Sequence, residues 1–397
     1  MKPFLAVPAI TYLIHRAWTK KSLTIPGIIA AALTAIVHAA HPWNTPFVLL
    51  AAFFLAGTRV TQINKDVKAN FTESSRGTPG GEGPRNHWQV LANSAVATVL
   101  VAMHMFQLQS RREALSPEPP SLDEGAEPNY DLALSRAVAR GLCYPWRGDL
   151  LPIGIIANYA AVAADTFSSE LGILSSTPPR LLTSPTLRIV PRGTNGGVTP
   201  IGLAAGLFGS LLLVTSAMLS MPLCEPPESF PIPSSSEEAG PFWTTWRRGT
   251  FMWGITLFGF FGTLIDSLLG GILQRTVRDL RTGKVVEGEG GVRVLVTDER
   301  REERVRAAVR AAAHSGSAEH NPSDLVEEMD SVGSKKTGGT AKRRESFGDG
   351  PSRAIESGFD ILDNNQVNLF TAAITSVLAM TAASLFWNIP LSSIVQF

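Results

Sequence analysis

The sequence predicts an all-α, polytopic integral membrane helix bundle of about eight spans, with one long polar cytoplasmic insertion. Three observations predict it. First, the 397-residue chain is 17% charged with a net charge of +1, yet residues 275–363 hold 33 of its 69 charged residues. The remaining 308 residues are about 12% charged, roughly half of what a soluble domain carries. Second, charge-poor apolar runs approach the roughly 20 residues that span a bilayer. They lie at 24–40, 44–58, 88–106, 150–164, 197–222, 250–274 and 366–387, with a shorter run at 3–15. Third, small residues recur every fourth position, at Gly202, Gly206 and Ser210 and at Gly259, Thr263, Ser267 and Gly271. Such stripes let helices approach closely in lipid.

Each element follows from its residues. A soluble protein with a large core is the competing reading, and the charge-free stretch Ile201–Met221 argues against it. The first run has Lys2 before it and no small-x-small cleavage site after it, so it reads as a retained span. No Arg- and Ser-rich transit sequence precedes it. Some shorter or more polar runs are expected to be tilted, broken or re-entrant. Three divisions follow: membrane helices over 1–274, a polar and largely disordered insertion over 275–362, and the last span with the C-terminus over 363–397. Within the insertion, 298–313 reads as a charged helix and 314–352 as disordered. The Pro-rich segments 112–130 and 222–241 read as extended connectors. No internal repeat is evident, which counts against an inverted-repeat transporter.

With eight spans the loops alternate between two sides. One side receives the loops around residues 20, 65–85 and 180–192 and the long insertion. In its shorter loops it carries eleven Lys/Arg, against eight on the other side. The positive-inside rule makes it cytoplasmic. The near-zero net charge excludes a general nucleic-acid binder. Two cysteines, Cys143 and Cys224, exclude a disulfide framework and a Cys-rich zinc site.

Ionisable residues inside apolar spans are costly and mark function. Asp165 and Glu170 end the fifth span, and Asp266 lies inside the seventh. Asp363, Asn364 and Asn365 stand at the mouth of the last, Asp363 in the position of a helix cap. Asn93 and Asn368 lie within spans and read equally well as interhelical hydrogen-bonders. His15, His38, His41, His87 and His104 read as structural. The run Arg192-Gly193-Thr194-Asn195-Gly196-Gly197 leads into the sixth span, a turn able to direct N–H groups at an anion. Lys20, Lys21, Arg85 and Asn86 fall on the same side. Carboxylates can hold Mg²⁺, and basic groups can hold phosphates, the inventory of phosphoryl transfer.

In these motifs the chain resembles the transmembrane protein 19 family, also called domain of unknown function 92. The matching stretches are 20–24, 83–93, 165–172, 191–199, 262–270 and 363–368, in order along the chain; the loops 107–149 and 275–360 are not covered. The resemblance implies an activity similar to that of plant phytyl-phosphate kinase and, more distantly, to CTP-dependent dolichol and phytol kinases. It implies CTP or another NTP as donor, with Mg²⁺. The expected acceptor is an isoprenoid phosphate or alcohol such as farnesyl or geranylgeranyl phosphate, in the endoplasmic reticulum or another endomembrane. Asp165, Glu170 and Asp266 are then expected to be the catalytic and metal-holding groups. Lys20, Lys21, Arg85, Asn86, Arg192, the 193–197 turn, Asn364 and Asn365 would hold phosphates. A transporter for an anionic or lipid solute, and a membrane scaffold using the insertion, are the alternatives.

Overall fold

The computed structural model describes residues 3–75, 80, 83–115, 137–225, 240–288, 294 and 353–396. Every apolar run expected to span is helical: α1 (Pro3–Thr19), α2 (Ile25–Ala40), α3 (Thr45–Gln62), α5 (His87–Ala114), α6 (Leu150–Gly172), α7 (Pro200–Ser220), α8 (Thr245–Leu273) and α9 (Asn364–Trp387). A single turn, α4 (Lys65–Lys68), follows α3. Among the described residues, α5 to α9 are the five helices long and apolar enough to cross a membrane. Of the eight expected spans, α1, α2 and α3, of 17, 16 and 18 residues, fall outside that set. At 16 residues α2 is about 24 Å long, short of a hydrocarbon core of about 30 Å.

The helix α6 is the axis of the bundle. Leu150 through Ala164 are all buried, and α7, α8, α9, α5 and α3 pack around it. Its small residues Gly154, Ala157, Ala160, Ala161 and Ala164 let neighbouring helices approach closely. The small-residue stripes make the close crossings. A side chain on Gly259 would begin 2.6 Å from Ala160 Cβ, so α8 meets α6 almost backbone to backbone. Outward faces stay apolar, as at Phe208, Leu219, Trp253 and Leu385.

The helix ends alternate between two poles, and loop contacts stay within each pole. At one pole, Leu23 pairs with Arg85, Asn195 N–H donates to Thr276 Oγ1, and Arg188 pairs with Glu356. At the other pole, Cys143 and Cys224 form a disulfide, Trp43 Nε1 donates to Gly141 O (2.7 Å), and Gln107 Nε2 donates to Ser393 O (2.8 Å). Trp43, Tyr144, Trp146, Trp243 and Trp387 pack together at that pole, edge to face except for the tilted Tyr144–Trp243 pair. A single bridge of this kind is compatible with the exclusion of a disulfide framework.

The ends of the polar insertion are ordered. Strands β4 (Thr276–Asp279), β5 (Val285–Glu287) and β6 (Arg353–Ser357) join β1 (Thr72–Ser74) in a sheet of order β1-β5-β4-β6. The strand β4 is antiparallel to both neighbours, and β1 is parallel to β5. A two-residue pair, β2 (Arg180–Leu181) with β3 (Gly197–Val198), frames the glycine-rich turn. The expected charged helix at 298–313, the segment 314–352 and most of both Pro-rich connectors lie outside the described residues.

Candidate functional site

Burial along α6 gives way at Asp165, the first charged residue after its apolar run. Asp266 lies two turns beyond Gly259 on α8, and therefore on the face that crosses α6. The crossing brings the Asp165 and Asp266 carboxyls beside each other, with Thr263 next to Asp165. From α9, Thr371 Oγ1 donates to Asp266 Oδ1 (3.1 Å). The Asn368 carboxamide, with its nitrogen turned inward, donates to Asp266 Oδ1 (3.2 Å) and Asn364 O (3.3 Å). Three helices thus converge on one acidic pair at the pole that carries the sheet. Two carboxylates in contact need a proton or a cation between them.

Glu170 does not complete a triad. It ion-pairs with Lys68, whose ammonium also donates to Thr61 O (2.8 Å), so the pair ties α6 to the end of α3. Among the described residues, no three His, Cys, Asp or Glu side chains gather as a metal site. The oxygen-rich set of Asp165, Asp266, Thr263 and Thr371 still suits Mg²⁺, which keeps several waters and takes one or two carboxylates. The residues therefore fit that ion, and Glu170 is paired with Lys68 beside them.

Arg192 and the glycine turn make several contacts within the protein. Arg192 donates to Ser175 O (2.6 Å), just beyond the end of α6, and lies 4.3 Å from the Phe71 ring centre. Within the turn, Thr194 N–H donates to Pro191 O, Asn195 N–H to Thr276 Oγ1 and Gly197 N–H to Thr194 O. Those three N–H groups are committed inside the protein. Gly196 has φ +77°, and a side chain there would start 2.6 Å from Ser267 O. The turn is thus a close-fitting wedge against α8, one residue past Asp266.

Lys20 and Lys21 are exposed, in a turn stitched to Arg85 by Arg85 N–H to Ser22 O (3.0 Å) and Thr24 N–H to Arg85 O (2.9 Å). Three cations from two separated motifs therefore share one corner of the same pole. Asn86 is the cap of α5: its Oδ1 accepts from Gln89 N–H (3.0 Å), and Gln89 Oε1 accepts from Asn86 N–H (2.9 Å). Asp363 caps α9 in the same way, as its sequence position suggested. Asn364 and Asn365 open that helix, and the side chains that α9 extends to the acids are Asn368 and Thr371. Asn93 Nδ2 donates to its own helix, at Gln89 O.

The opposite pole holds a network that no motif announced. Trp43 N–H donates to His41 Nδ1 (3.0 Å), so the other nitrogen of neutral His41 carries its proton. That Nε2–H donates to His104 Nδ1 (2.9 Å), and His104 Nε2–H points to Asp149 Oδ2 at 3.4 Å. Arg111 holds both oxygens of Asp149 at 2.8 and 2.7 Å. Burial, then His104, push the His41 imidazole down to about 3, which keeps it neutral. Burial alone would raise Asp149, but the hydrogen bonds from His104 and Arg111 outweigh it and hold the carboxyl below the usual range. The signal in the sequence is topological: eight alternating spans put residue 41 and the loops 107–149 and 223–249 together, opposite the loops around 20, 65–85 and 180–192.

Residues 8–376 match the profile of a family described as integral membrane protein DUF92. Among curated proteins, the chain is 31% identical over 271 residues to protein PGR of Arabidopsis thaliana, covering 68% of this chain and 78% of that one. It is 28% identical over 194 residues to the chloroplastic protein VTE6 of the same plant, covering 49% of this chain and 46% of that one. An uncharacterized membrane protein of Synechocystis is 32% identical over 197 residues, covering 49% of this chain and 59% of that one. No solved structure matches.

Proposed function

The chain belongs to the DUF92 family of integral membrane proteins, and we propose that it is an isoprenoid-phosphate kinase. It transfers the γ-phosphoryl group of CTP or another NTP to a lipid phosphate at the cytoplasmic face. The observation that carries this reading is the acidic pair, Asp165 against Asp266, beside hydroxyl and amide donors at the mouth of an apolar bundle. Mg²⁺, held by Asp165 and Asp266 with Thr263 and Thr371 near, would neutralise charge on the transferring phosphoryl group. An oxygen of the acceptor monophosphate attacks the γ-phosphorus, the bond from that phosphorus to the β–γ bridging oxygen breaks, and the nucleoside diphosphate leaves. The attacking oxygen is already ionised, so the protein need supply no strong base. Lys20, Lys21 and Arg85 hold the acceptor's phosphate. Asn368 and Thr371 orient Asp266, and Lys68 keeps Glu170 neutralised beside the site.

Sidedness has two independent supports. Basic loop residues favour this pole as the cytoplasmic one. The disulfide lies at the other pole, and disulfides persist in oxidising compartments such as the endoplasmic reticulum lumen. In this reading all eight apolar helices are spans, α1 to α3 lining the edge of the five-helix bundle.

The test is a phosphorylation assay on purified full-length protein with labelled CTP, Mg²⁺ and a panel of isoprenoid phosphates and alcohols. Turnover that is unchanged in Asp165→Asn and Asp266→Asn overturns the site. A transporter is the second reading, and Asn158 favours it. This residue is fully buried on α6, two turns before Asp165, and neither amide atom has a hydrogen-bond partner within the protein. Nucleotide-independent solute flux into proteoliposomes, lost in Asn158→Ala, would select that reading.

A further inference from the structure

A cleft of about 90 Å³ opens between α1, α2, α3 and α5. Its walls are apolar, with Ile14, Ala31, Phe53, Phe54 and Val90 among them, and its polar lining comes mainly from Arg85, Gln89 and Asn93. The polar end is built with care. Ser22 and Thr24 are hydrogen-bonded to the backbone of Arg85, which lines the cleft, and the exposed Lys20 and Lys21 precede them in the same turn. Both α2 and α5 begin there, capped by Thr24 and Asn86, and direct two helix N-termini with their partial positive charge at the same corner. The Ser22 hydroxyl is buried there with no hydrogen-bond partner within the protein. An apolar channel with a cationic mouth matches an amphiphile with an anionic head and one hydrocarbon chain. The mouth also adjoins the acidic pair's surroundings. Arg85 approaches Gly57 on the last turns of α3, and Lys68, paired with Glu170, binds Val60 O and Thr61 O within a turn of it.

We propose that this cleft receives the isoprenoid tail of the acceptor, with the acceptor's phosphate held at the mouth by Lys20, Lys21, Arg85 and the two helix N-termini. This rests on the kinase reading for the acceptor's identity. The cleft and its charge pattern do not depend on that reading. Chain-length preference then resides in α1 and α2, away from the acids. Ala31 and Ala32 are half-buried on the wall, so a larger side chain at either position fills the channel without entering the main core.

The experiment is photolabelling of full-length protein in nanodiscs with a geranylgeranyl monophosphate bearing a diazirine on its tail, read by peptide mass spectrometry. Labels are expected on α1, α2 and α5. Unlabelled geranylgeranyl phosphate should displace them, and excess anionic phospholipid should not. Ala31→Phe should cut labelling at least tenfold. It should also raise KM for the C20 acceptor while sparing a C5 or C10 acceptor. Labels elsewhere, labels removed equally by phospholipid, or labels undiminished in a folded Ala31→Phe protein overturn the cleft assignment. Cleft labelling without nucleotide-dependent phosphorylation keeps the tail site and sinks the kinase. Phosphorylation with labels elsewhere does the reverse.

Discussion

The two ends of α6 each carry an aspartate, and the two are treated in opposite ways. Asp149 receives two hydrogen bonds from Arg111 and faces a further donor in His104, and each member of that chain has its partner. Asp165 meets another acid, Asp266, and the nearest carboxylate beyond it, Glu170, has Lys68 to itself. A satisfied buried network rigidifies a protein; an acidic pair short of positive charge is poised to take some from outside. One helix thus joins a stapled, internally balanced pole to a pole whose acidic pair has no cation bonded to it among the described residues.

The contrast can be broken experimentally. The largest effect is expected at the unbalanced pole. Asp165→Asn or Asp266→Asn should lower phosphoryl transfer on the order of 100-fold or more, comparable to the loss of a key electrostatic group. Neither should lower the melting temperature in detergent, because relieving an acid–acid contact removes repulsion. A fall in both properties together would mean that the pair is structural. At the balanced pole the effects should invert. Replacing Cys143 and Cys224 by serine opens a link between residues 81 apart and should cost about 3–4 kcal/mol of stability. Activity per folded molecule should stay unchanged, read by thermal unfolding alongside the assay.

Smaller effects sharpen the same contrast. Asp149→Ala strands Arg111 and His104 and should cost about 2–3 kcal/mol, below the value for a fully buried pair because the side chain is partly solvated. Asp149 has a depressed carboxyl in the folded state. Its contribution is therefore complete above the unfolded carboxylate value near 4 and fades as pH falls below it. A melting curve against pH should show that loss in wild type and not in Asp149→Ala. The smallest change is Gly196→Ala, which puts a side chain at positive φ against the Ser267 carbonyl and should cost about 1–2 kcal/mol. It should also lower turnover, since the wedge sits one residue from Asp266. Wild-type turnover in that variant would detach the turn from the site.

Much of the bundle was legible because charge-free runs leave a chain few options except helices. The strands were not. Three- to five-residue segments carry too little alternation to read, and β1 pairs with β5 across more than 200 residues of sequence. Asp165 and Asp266 stood out because acids in apolar helices are costly. Their mutual contact depends on the crossing at Gly259, which no single run reveals. Residue types mark Arg192 and the glycine turn as phosphate binders; in the structure the Arg192 guanidinium donates to Ser175 O, and three N–H groups of the turn have acceptors within the protein. A sequence displays a donor without displaying its acceptor. Asn368 was split evenly between glue and function, and it faces Asp266. His41 and His104 looked structural one at a time, and they gain meaning only as a pair 63 residues apart.

The sheet at the unbalanced pole acts as a clasp. Because β4 and β5 leave α8 and β6 returns to α9 on the same sheet, the chain between Glu287 and Arg353 starts and ends on one sheet, on either side of β4. Its length is therefore decoupled from the bundle. Doubling a loop closed at its base costs only about 0.6 kcal/mol in closure entropy. Relatives can lengthen, shorten or replace this stretch without moving Asp266 relative to Thr371, and a reporter domain spliced into it should leave the two helices in register.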